Sequence, residues 1–450
     1  MTMLDIRWIR EHAEELQTVA DRKGMKVSVA ELLTVDAERR RLLQRVEEAR
    51  SQRNALARRI AELKRSGRIG REGEASVALE PELDTDAALA ETAEALQKEA
   101  GEIAAQGASA EAALRREDEA YERLMLLMPN PYSPDTPIGD SDADNVELKR
   151  VGEPTAFGFA ARDHLELGEA LGLFDVPRGV KVAGTRSYFL TGRGVYLHRA
   201  VQQLALDYLT DRGFTVIEAP VLAREEALVN TGFFPLGREQ TYRLPEDAKW
   251  LVGTAEVPLV SYYAGEIVDV SRPIRLAGVS ACFRREAGSA GRDVRGLYRV
   301  HQFAKVEQVV LCRADLSEAE EMLETITGYA EELLQLLELP YRVVRVCTGD
   351  MGQKNYKQYD IETWMPSRGG YGETHSSSLL LDFQSRRSNI RYRDEDGKLR
   401  YCYTLNNTAV ASPRILIPLL ENHQREEGGV YVPPALRPYM RGAESLNANA

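Results

Sequence analysis

A break in composition near residue 130 constrains this chain more than any other feature. From about Ala37 to Met128 the sequence is rich in Ala, Glu, Arg and Leu and poor in aromatic and β-branched residues, which is the composition of long helices. Leu42, Val46, Ala49, Arg53, Leu56, Ile60 and Leu63 alternate spacings of four and three, so one stripe of an α-helix stays turned toward a partner helix. The stripe is interrupted at Gly67, Gly70, Gly73 and Pro81, then resumes at Leu89, Leu96, Ile103, Ala110, Leu114, Tyr121, Leu124 and Met128. Two helices of similar length parted by such a break predict an antiparallel hairpin, with Gly67–Pro81 a longer connection than the turn needs. Pro129, Pro131, Pro134 and Pro137 forbid further helix, so residues 129–150 read as a linker.

Charge along the hairpin is lopsided. Between Glu38 and Arg71 twelve basic residues face four acidic ones, and between Glu82 and Arg123 the ratio is reversed. Two readings stand side by side: the helices pair their charges along the seam, or part of the first helix meets a polyanion backbone. The whole chain carries 58 Lys+Arg against 70 Asp+Glu, a net charge of −12, which excludes a globally basic nucleic-acid binder but not a locally basic segment. Cys282, Cys312, Cys347 and Cys402 are dispersed with no C-x-x-C pair, so reduced thiols are expected and neither a disulfide framework nor a zinc site is. No apolar run approaches the roughly 18 residues of a membrane span, and Met1–Leu16 carries four acids and no apolar signal core. A cytoplasmic protein with no membrane partner is expected.

The expected organisation is an N-terminal helical domain over 1–128, the linker over 129–150, an α+β domain over 151–441 and a disordered tail over 442–450. Within the α+β domain, helices are expected from about Gly192 to Arg212, from Ser317 to Leu337 with Ser317 as N-cap, and from Pro413 to Gln424. In the last, Ser412 would cap, Pro413 would occupy the first turn and Pro418 would kink the helix.

Familiar nucleotide and nucleophile motifs are missing. There is no G-x-x-x-x-G-K-[ST], no G-x-G-x-x-G after a strand, no H-E-x-x-H and no G-x-S-x-G elbow. The informative stretch is Ile274–Leu311. Ile274–Glu286 reads as a strand, Ala287–Tyr298 as a Gly-punctuated loop, and Arg299–Leu311 as a second strand. Period-two alternation puts Arg299, His301, Phe303, Lys305 and Glu307 on one face, and Arg284 with Glu286 on another shared face. Such a strand face suits either solvent or a ligand with an anionic part, a flat ring and a cationic part; an aminoacyl adenylate has all three. Similar pairs recur at Thr254 and Glu256, and at Asn406 and Thr408. Arg414 falls in the first turn of the last expected helix, where the dipole disfavours it and an anion would welcome it. Glu373 and Ser376 offer a carboxylate and a hydroxyl suited to Mg²⁺.

Taken together, these segments resemble the three signature motifs of class II aminoacyl-tRNA synthetases, and more narrowly those of the bacterial-type seryl-tRNA synthetase family. The first motif resembles Gly213–Pro220. The second resembles Phe283-Arg284-Arg285-Glu286 through Arg299-Val300-His301-Gln302-Phe303. The third resembles Asn406-Asn407-Thr408-Ala409 through Arg414 and Glu421-Asn422-His423-Gln424. Thr254-Ala255-Glu256, Glu286–Asp293, Thr348–Gly352 and Asp382–Arg387 fit the narrower family, and the match covers nearly the whole chain. Arg285, the Ser377-Ser378 pair and the long arm connection depart from the pattern.

The resemblance implies an antiparallel-sheet catalytic core preceded by a helical coiled-coil arm. It implies ATP-dependent activation of L-serine and transfer to the 3′ end of tRNA(Ser), and of tRNA(Sec) where that exists. Arg284 and Arg414 would be catalytic, Arg284 on the α-phosphate and substrate carboxylate and Arg414 on the γ-phosphate. Thr254, Ala255, Glu256, Arg284, Glu307, Asn406 and Thr408 would bind serine. Arg284, Arg285, Glu286, Arg299, Val300, Phe303, Glu373, Thr374, His375, Ser376 and Arg414 would bind ATP, with Glu373 and Ser376 holding Mg²⁺. A homodimer joined through the first motif, with the arm gripping the long variable arm of the tRNA, completes what is implied. Two rivals remain open: a serine-activating relative that charges a carrier, which would lose the arm, and a non-catalytic RNA-binding descendant, which would lose Arg284, Glu286, Glu307, Glu373 or Arg414.

Overall fold

The computed structural model describes residues 4–73, 83–288 and 296–447. Two compact units emerge, one of residues 28–125 and the other of residues 1–27 together with 126–450. The elements that matter here are the helices α1 (Val29–Gly73), α2 (Leu83–Leu127), α3 (Gly192–Thr210), α4 (Leu316–Leu336) and α5 (Leu416–Asn422). The strands are β1 (Val146–Val151), β2 (Thr215–Glu218), β3 (Ile274–Phe283), β4 (Gln302–Cys312), β5 (Tyr341–Arg345), β6 (Lys357–Met365), β7 (Gly370–Leu379) and β8 (Tyr403–Ser412).

The smaller unit is the helical hairpin. Arg39 pairs with Asp118 at 2.5 Å and Arg50 with Glu111 at 2.7 Å, so residue numbers rise along α1 as they fall along α2. Leu42, Val46, Leu96 and Ala110 are buried along the seam, and an ideal Cβ on Gly107 would stand 3.3 Å from the Ala49 Cβ. The alternating stripe therefore does face the partner helix; Arg53 shares a groove with Ile103 and Gly107 of that helix but stays exposed, because a guanidinium is better hydrated than packed. Helix α1 starts eight residues before Ala37 and runs through Gly67 and Gly70 to Gly73, where an interruption was expected. The side chains of Lys64, Arg68, Arg71 and Leu89, and residues 74–82 of the connection, lie outside the described residues.

The larger unit is built on one eight-stranded sheet in the order β1-β5-β6-β7-β8-β4-β3-β2. All its pairings are antiparallel except β2 with β3. Helices α3 and α4 bury their apolar sides in its core: Leu197, Val201, Leu204 and Tyr208 on α3, and Met322, Leu323, Ile326, Ala330 and Leu333 on α4. These recur every three or four residues, the spacing of one helical face. Strand β6 alternates strictly: Tyr359, Ile361, Thr363 and Met365 are buried, while Gln358, Asp360, Glu362 and Trp364 are half-exposed.

Several boundaries differ from expectation. Strand β3 ends at Phe283 rather than Glu286, and β4 begins at Gln302 rather than Arg299. The N-cap of α4 is Asp315, whose carboxylate accepts the Glu318 N–H at 2.9 Å, rather than Ser317. Helix α5 begins at Leu416, because Ser412 is still paired in β8 and Pro413-Arg414-Ile415 form a turn. Arg414 is therefore not in a helical first turn. Pro418 sits in the first turn of α5, where no intrahelical donor is needed, so it does not interrupt a ladder. Ser445–Leu446 pairs with Val430–Tyr431 and Leu446 is buried, so the tail expected from 442 is ordered chain to 447; residues 448–450 lie outside the described residues.

One buried polar cluster ties α5 to the rest. The Glu421 carboxylate, fully buried, accepts the His164 N–H at 3.0 Å, His164 Nδ1 at 2.8 Å, the Ser367 N–H at 2.9 Å and Ser367 Oγ at 2.8 Å. Replacing it takes the acceptor from four donors at once, two of them on the buried His164. Glu421→Ala is expected to lower unfolding stability by about 3 kcal/mol, measured by denaturant titration; a loss under about 1 kcal/mol would show that the cluster is not structural.

Candidate active site

The face of the sheet bearing β4, β7 and β8 holds a cavity of about 520 Å³ of open space. Arg284, Glu286, Arg299, Val300, Phe303, Glu373, Thr374, Thr408 and Arg414 line it, all of them singled out from sequence, together with Tyr298 and Lys305, which were given no binding role. The chain reaches it from four places: the end of β3, the start of β4, β7, and the turn after β8.

At one side the Arg284 guanidinium lies 5.2 Å from the centre of the Phe303 ring and donates weakly to the Gly253 carbonyl at 3.4 Å. Its backbone N–H donates to the His301 carbonyl at 3.0 Å, which continues the β3–β4 ladder past the last strand residue. Glu286 follows with a left-handed backbone, φ 52°, a conformation costly for a residue with a Cβ and frequent at functional sites. Its carboxylate meets Arg299 at 3.5 Å. Arg285 is exposed and its side chain is not among the groups lining the cavity. Residues 289–295 of the expected loop lie outside the described residues.

At the opposite side Arg414 is held by carbonyls. Its Nε donates to the Tyr298 carbonyl at 3.1 Å and its Nη1 to the Glu373 carbonyl at 3.2 Å, while the guanidinium sits 4.4 Å from the Tyr298 ring centre. The Glu373 carboxylate is 3.5 Å away. Position, rather than a helix dipole, thus makes Arg414 available to an anion.

Strand β7 carries a bulge. His375 pairs with Ile361 and Glu373 with Glu362, so Thr374 has no partner of its own. The extra residue reverses the alternation, and Glu373 and Ser376, three apart, turn toward one side. His375 stays buried, with Nδ1 2.8 Å from Thr374 Oγ1, and burial holds its imidazole down to about 3. Asp360, opposite Ser376 in the β6–β7 register, joins this group. Asp360, Glu373 and Ser376 form a set of hard oxygen donors that fits Mg²⁺.

A second, drier layer lies beneath. Glu307 is 1% exposed; Lys305 Nζ reaches its Oε2 at 2.5 Å, Thr408 Oγ1 the same oxygen at 3.5 Å, and Asn406 Nδ2 its Oε1 at 3.2 Å. Asn406 Oδ1 is buried without a hydrogen-bond partner. Glu256, the first residue of a short helix Glu256–Ser261, is 2% exposed and also pairs with a lysine, Lys354, at 2.5 Å. Its backbone N–H donates to Thr254 Oγ1 at 3.3 Å. Ala255 lies in the apolar core instead, its Cβ 3.0 Å from where a side chain on Gly278 would begin.

Sequence reasoning missed Tyr298, Lys354, Gln384 and Asp360 as parts of this arrangement. Nothing local in sequence sets Asp360 opposite Ser376 or pairs Lys354 with Glu256.

Burial first, and the charge of Glu373 second, push the Asp360 carboxyl up to about 8. The folded chain therefore holds a proton that the unfolded chain releases near pH 4, and stability contributed by this group is lost as pH rises from about 4 to about 8. Asp360→Asn cannot ionise. Its melting temperature, relative to the parent protein, is expected to gain between pH 5 and pH 8 in scanning calorimetry; a difference that stays constant across that range would overturn the assignment.

Known proteins resemble this chain over nearly its whole length. A family model described as the tRNA synthetase class II core domain (G, H, P, S and T) matches residues 241–423, and one described as the seryl-tRNA synthetase N-terminal domain matches residues 3–132. A serine–tRNA ligase of Deinococcus radiodurans is 46% identical over 445 residues, covering 99% of both chains. One from Brucella abortus is 42% identical over 451 residues, covering 100% of both. Among solved structures, seryl-tRNA synthetase from Pyrococcus horikoshii complexed with ATP superposes with a TM-score of 0.85 at 35% identity, covering 100% of both chains.

Proposed function

The chain belongs to the seryl-tRNA synthetase family of class II aminoacyl-tRNA synthetases, and from that premise we propose how its residues share the work. It is a ligase that activates L-serine with ATP and transfers the seryl group to the 3′ end of tRNA(Ser). The observation that carries the reading of the site is the lining of one cavity by Arg284, Glu286, Phe303, Glu373, Thr408 and Arg414.

In this reading the adenine ring stacks on Phe303 and its amino group donates to Glu286, with Arg299 and Val300 closing the pocket. Arg284 spans the α-phosphate and the serine carboxylate, a task suited to a planar, permanently charged fork. That contact brings the attacking carboxylate oxygen and the phosphorus into line. Negative charge then grows on the departing pyrophosphate, where Arg414 meets it. Glu373 and Ser376, with Asp360 beside them, would hold Mg²⁺, which supplies charge neutralisation on the phosphates when bound. Catalysis of this kind is positioning and electrostatics, and needs no side-chain nucleophile.

The deeper layer selects the amino acid. The serine ammonium meets Glu307 and Glu256, and its hydroxyl meets Thr408 and Asn406. Alanine would leave those buried groups unpaired, and a missing hydroxyl in such a site is rejected strongly. In the second step the terminal ribose hydroxyl of the tRNA attacks the seryl carbonyl, and AMP leaves. The helical hairpin grips the variable arm of tRNA(Ser) and, where it exists, tRNA(Sec), chiefly through backbone contacts. Exposed Val216, Leu222 and Leu236 near the first motif suit coverage by a second copy of the chain, consistent with a homodimer. No helix among the described residues is long and apolar enough to cross a membrane, and a cytoplasmic enzyme accords with that.

Arg284→Ala is expected to lower serine-dependent ATP–pyrophosphate exchange by about 100-fold or more; exchange within about twofold of the parent would remove Arg284 from the mechanism. Replacing residues 28–125 with a short Gly-Ser linker is expected to preserve exchange while abolishing tRNA charging. Charging that survives this replacement would refute the role given to the hairpin.

A further inference from the structure

The segment Asp382–Arg387 has no role in the reaction as derived so far, yet its Gln384 is fully buried and touches the amino-acid layer. Gln384 Nε2 donates to Glu256 Oε1 at 2.7 Å and to the Thr231 carbonyl at 2.9 Å, while its Oε1 accepts from Thr404 Oγ1 at 2.9 Å. Two obligate acceptors on one side fix the orientation of the amide. Lys354 Nζ reaches the same Glu256 oxygen at 2.5 Å and lies 4.1 Å from the centre of the Phe233 ring. The backbone around Lys354 is pinned as well. Lys23 Nζ donates to the Asn355 carbonyl at 2.6 Å, Gln353 Nε2 to the Leu126 carbonyl at 2.8 Å, and Asn130 Nδ2 to the Lys354 carbonyl at 3.0 Å. Both donors thus converge on Oε1 of Glu256, and no hydrogen bond is made to its Oε2 among the described residues.

We propose that Gln384 and Lys354 are positioning residues of the amino-acid site: by occupying Oε1 of Glu256 they fix the carboxylate so that Oε2 is presented to the substrate ammonium. The proposal rests on the reading of Glu256 as an ammonium acceptor. Charge balance supports it. Lys354 with Glu256 and Lys305 with Glu307 set a lysine against each carboxylate of the buried layer, which limits the excess of negative charge there. Recognition of the ammonium then depends on a correctly aimed free oxygen rather than on bulk negative potential, and aim is what a rigid amide and a pinned lysine supply.

Steady-state pyrophosphate exchange on the full-length enzyme tests this with Glu256→Gln, Gln384→Met and Lys354→Met, titrating L-serine and ATP separately. The inhibition constant of 3-hydroxypropanoate, which keeps the carboxylate and hydroxyl of serine but lacks the ammonium, is measured in parallel. The expected result is a KM for serine raised about tenfold or more in all three variants. The KM for ATP and the inhibition constant of 3-hydroxypropanoate stay within about twofold. A merely structural role would move all three constants together, and that outcome overturns the proposal. So does a serine KM that is unchanged or lower in Gln384→Met and Lys354→Met while Glu256→Gln raises it; the ammonium reading of Glu256 then stands alone. An unchanged serine KM in Glu256→Gln overturns both. Should Gln384→Met fail to fold, Lys354→Met decides the matter by the same criteria.

Discussion

Everything at the site depends on burying carboxylates together with their partners. Glu307 and Glu256 are nearly sealed from water, where a carboxylate without partners is costly. Each is held by a lysine and by neutral donors, so the desolvation cost is offset by close, geometrically fixed contacts. Burial still acts on the partners. Lys354 is pulled below the ordinary lysine range by desolvation, with the charges of Glu256 and Glu307 opposing that pull. The sheet makes this arrangement feasible because Lys305 and Glu307 sit two apart on β4 and so share a face by strand geometry alone.

The same sheet separates two jobs. Helices α3 and α4 supply the apolar packing that holds the strands together. The groups that line the cavity come from strand residues such as Phe303, Lys305 and Thr408 and from the segments that leave the strands at Arg284–Glu286 and Arg414. Segments at strand ends can take up conformations a ladder forbids, such as the positive φ of Glu286, while the strands fix where those segments start.

Much of this was legible in the sequence, for identifiable reasons. The four-three spacing of Leu42–Leu63 announced a helix against a helix, and Arg39–Asp118 and Arg50–Glu111 show that some of the opposite charges pair across it. Alternation placed Phe303, Lys305 and Glu307 together. Boundaries were less legible because tertiary pairing overrode local signals. Ser412 looks like a cap but is held in β8 by Ala304, and Ser317 looks like a cap but Asp315 reaches the free amide first. Contacts between residues distant in sequence were invisible. Gln384 and Lys354 lie 128 and 98 residues from Glu256, and no period in the chain links them.

The unpaired Thr374 has a consequence for how this segment tolerates change in length. Because that one surplus residue sets which way Glu373 points relative to Ser376, its deletion would swing the glutamate to the opposite side of the sheet. A chain altered in that way would no longer turn Glu373 and Ser376 toward one side. Length at this spot is therefore set twice over, by the buried hydrogen bonds of Thr374 and by the side on which Glu373 must emerge.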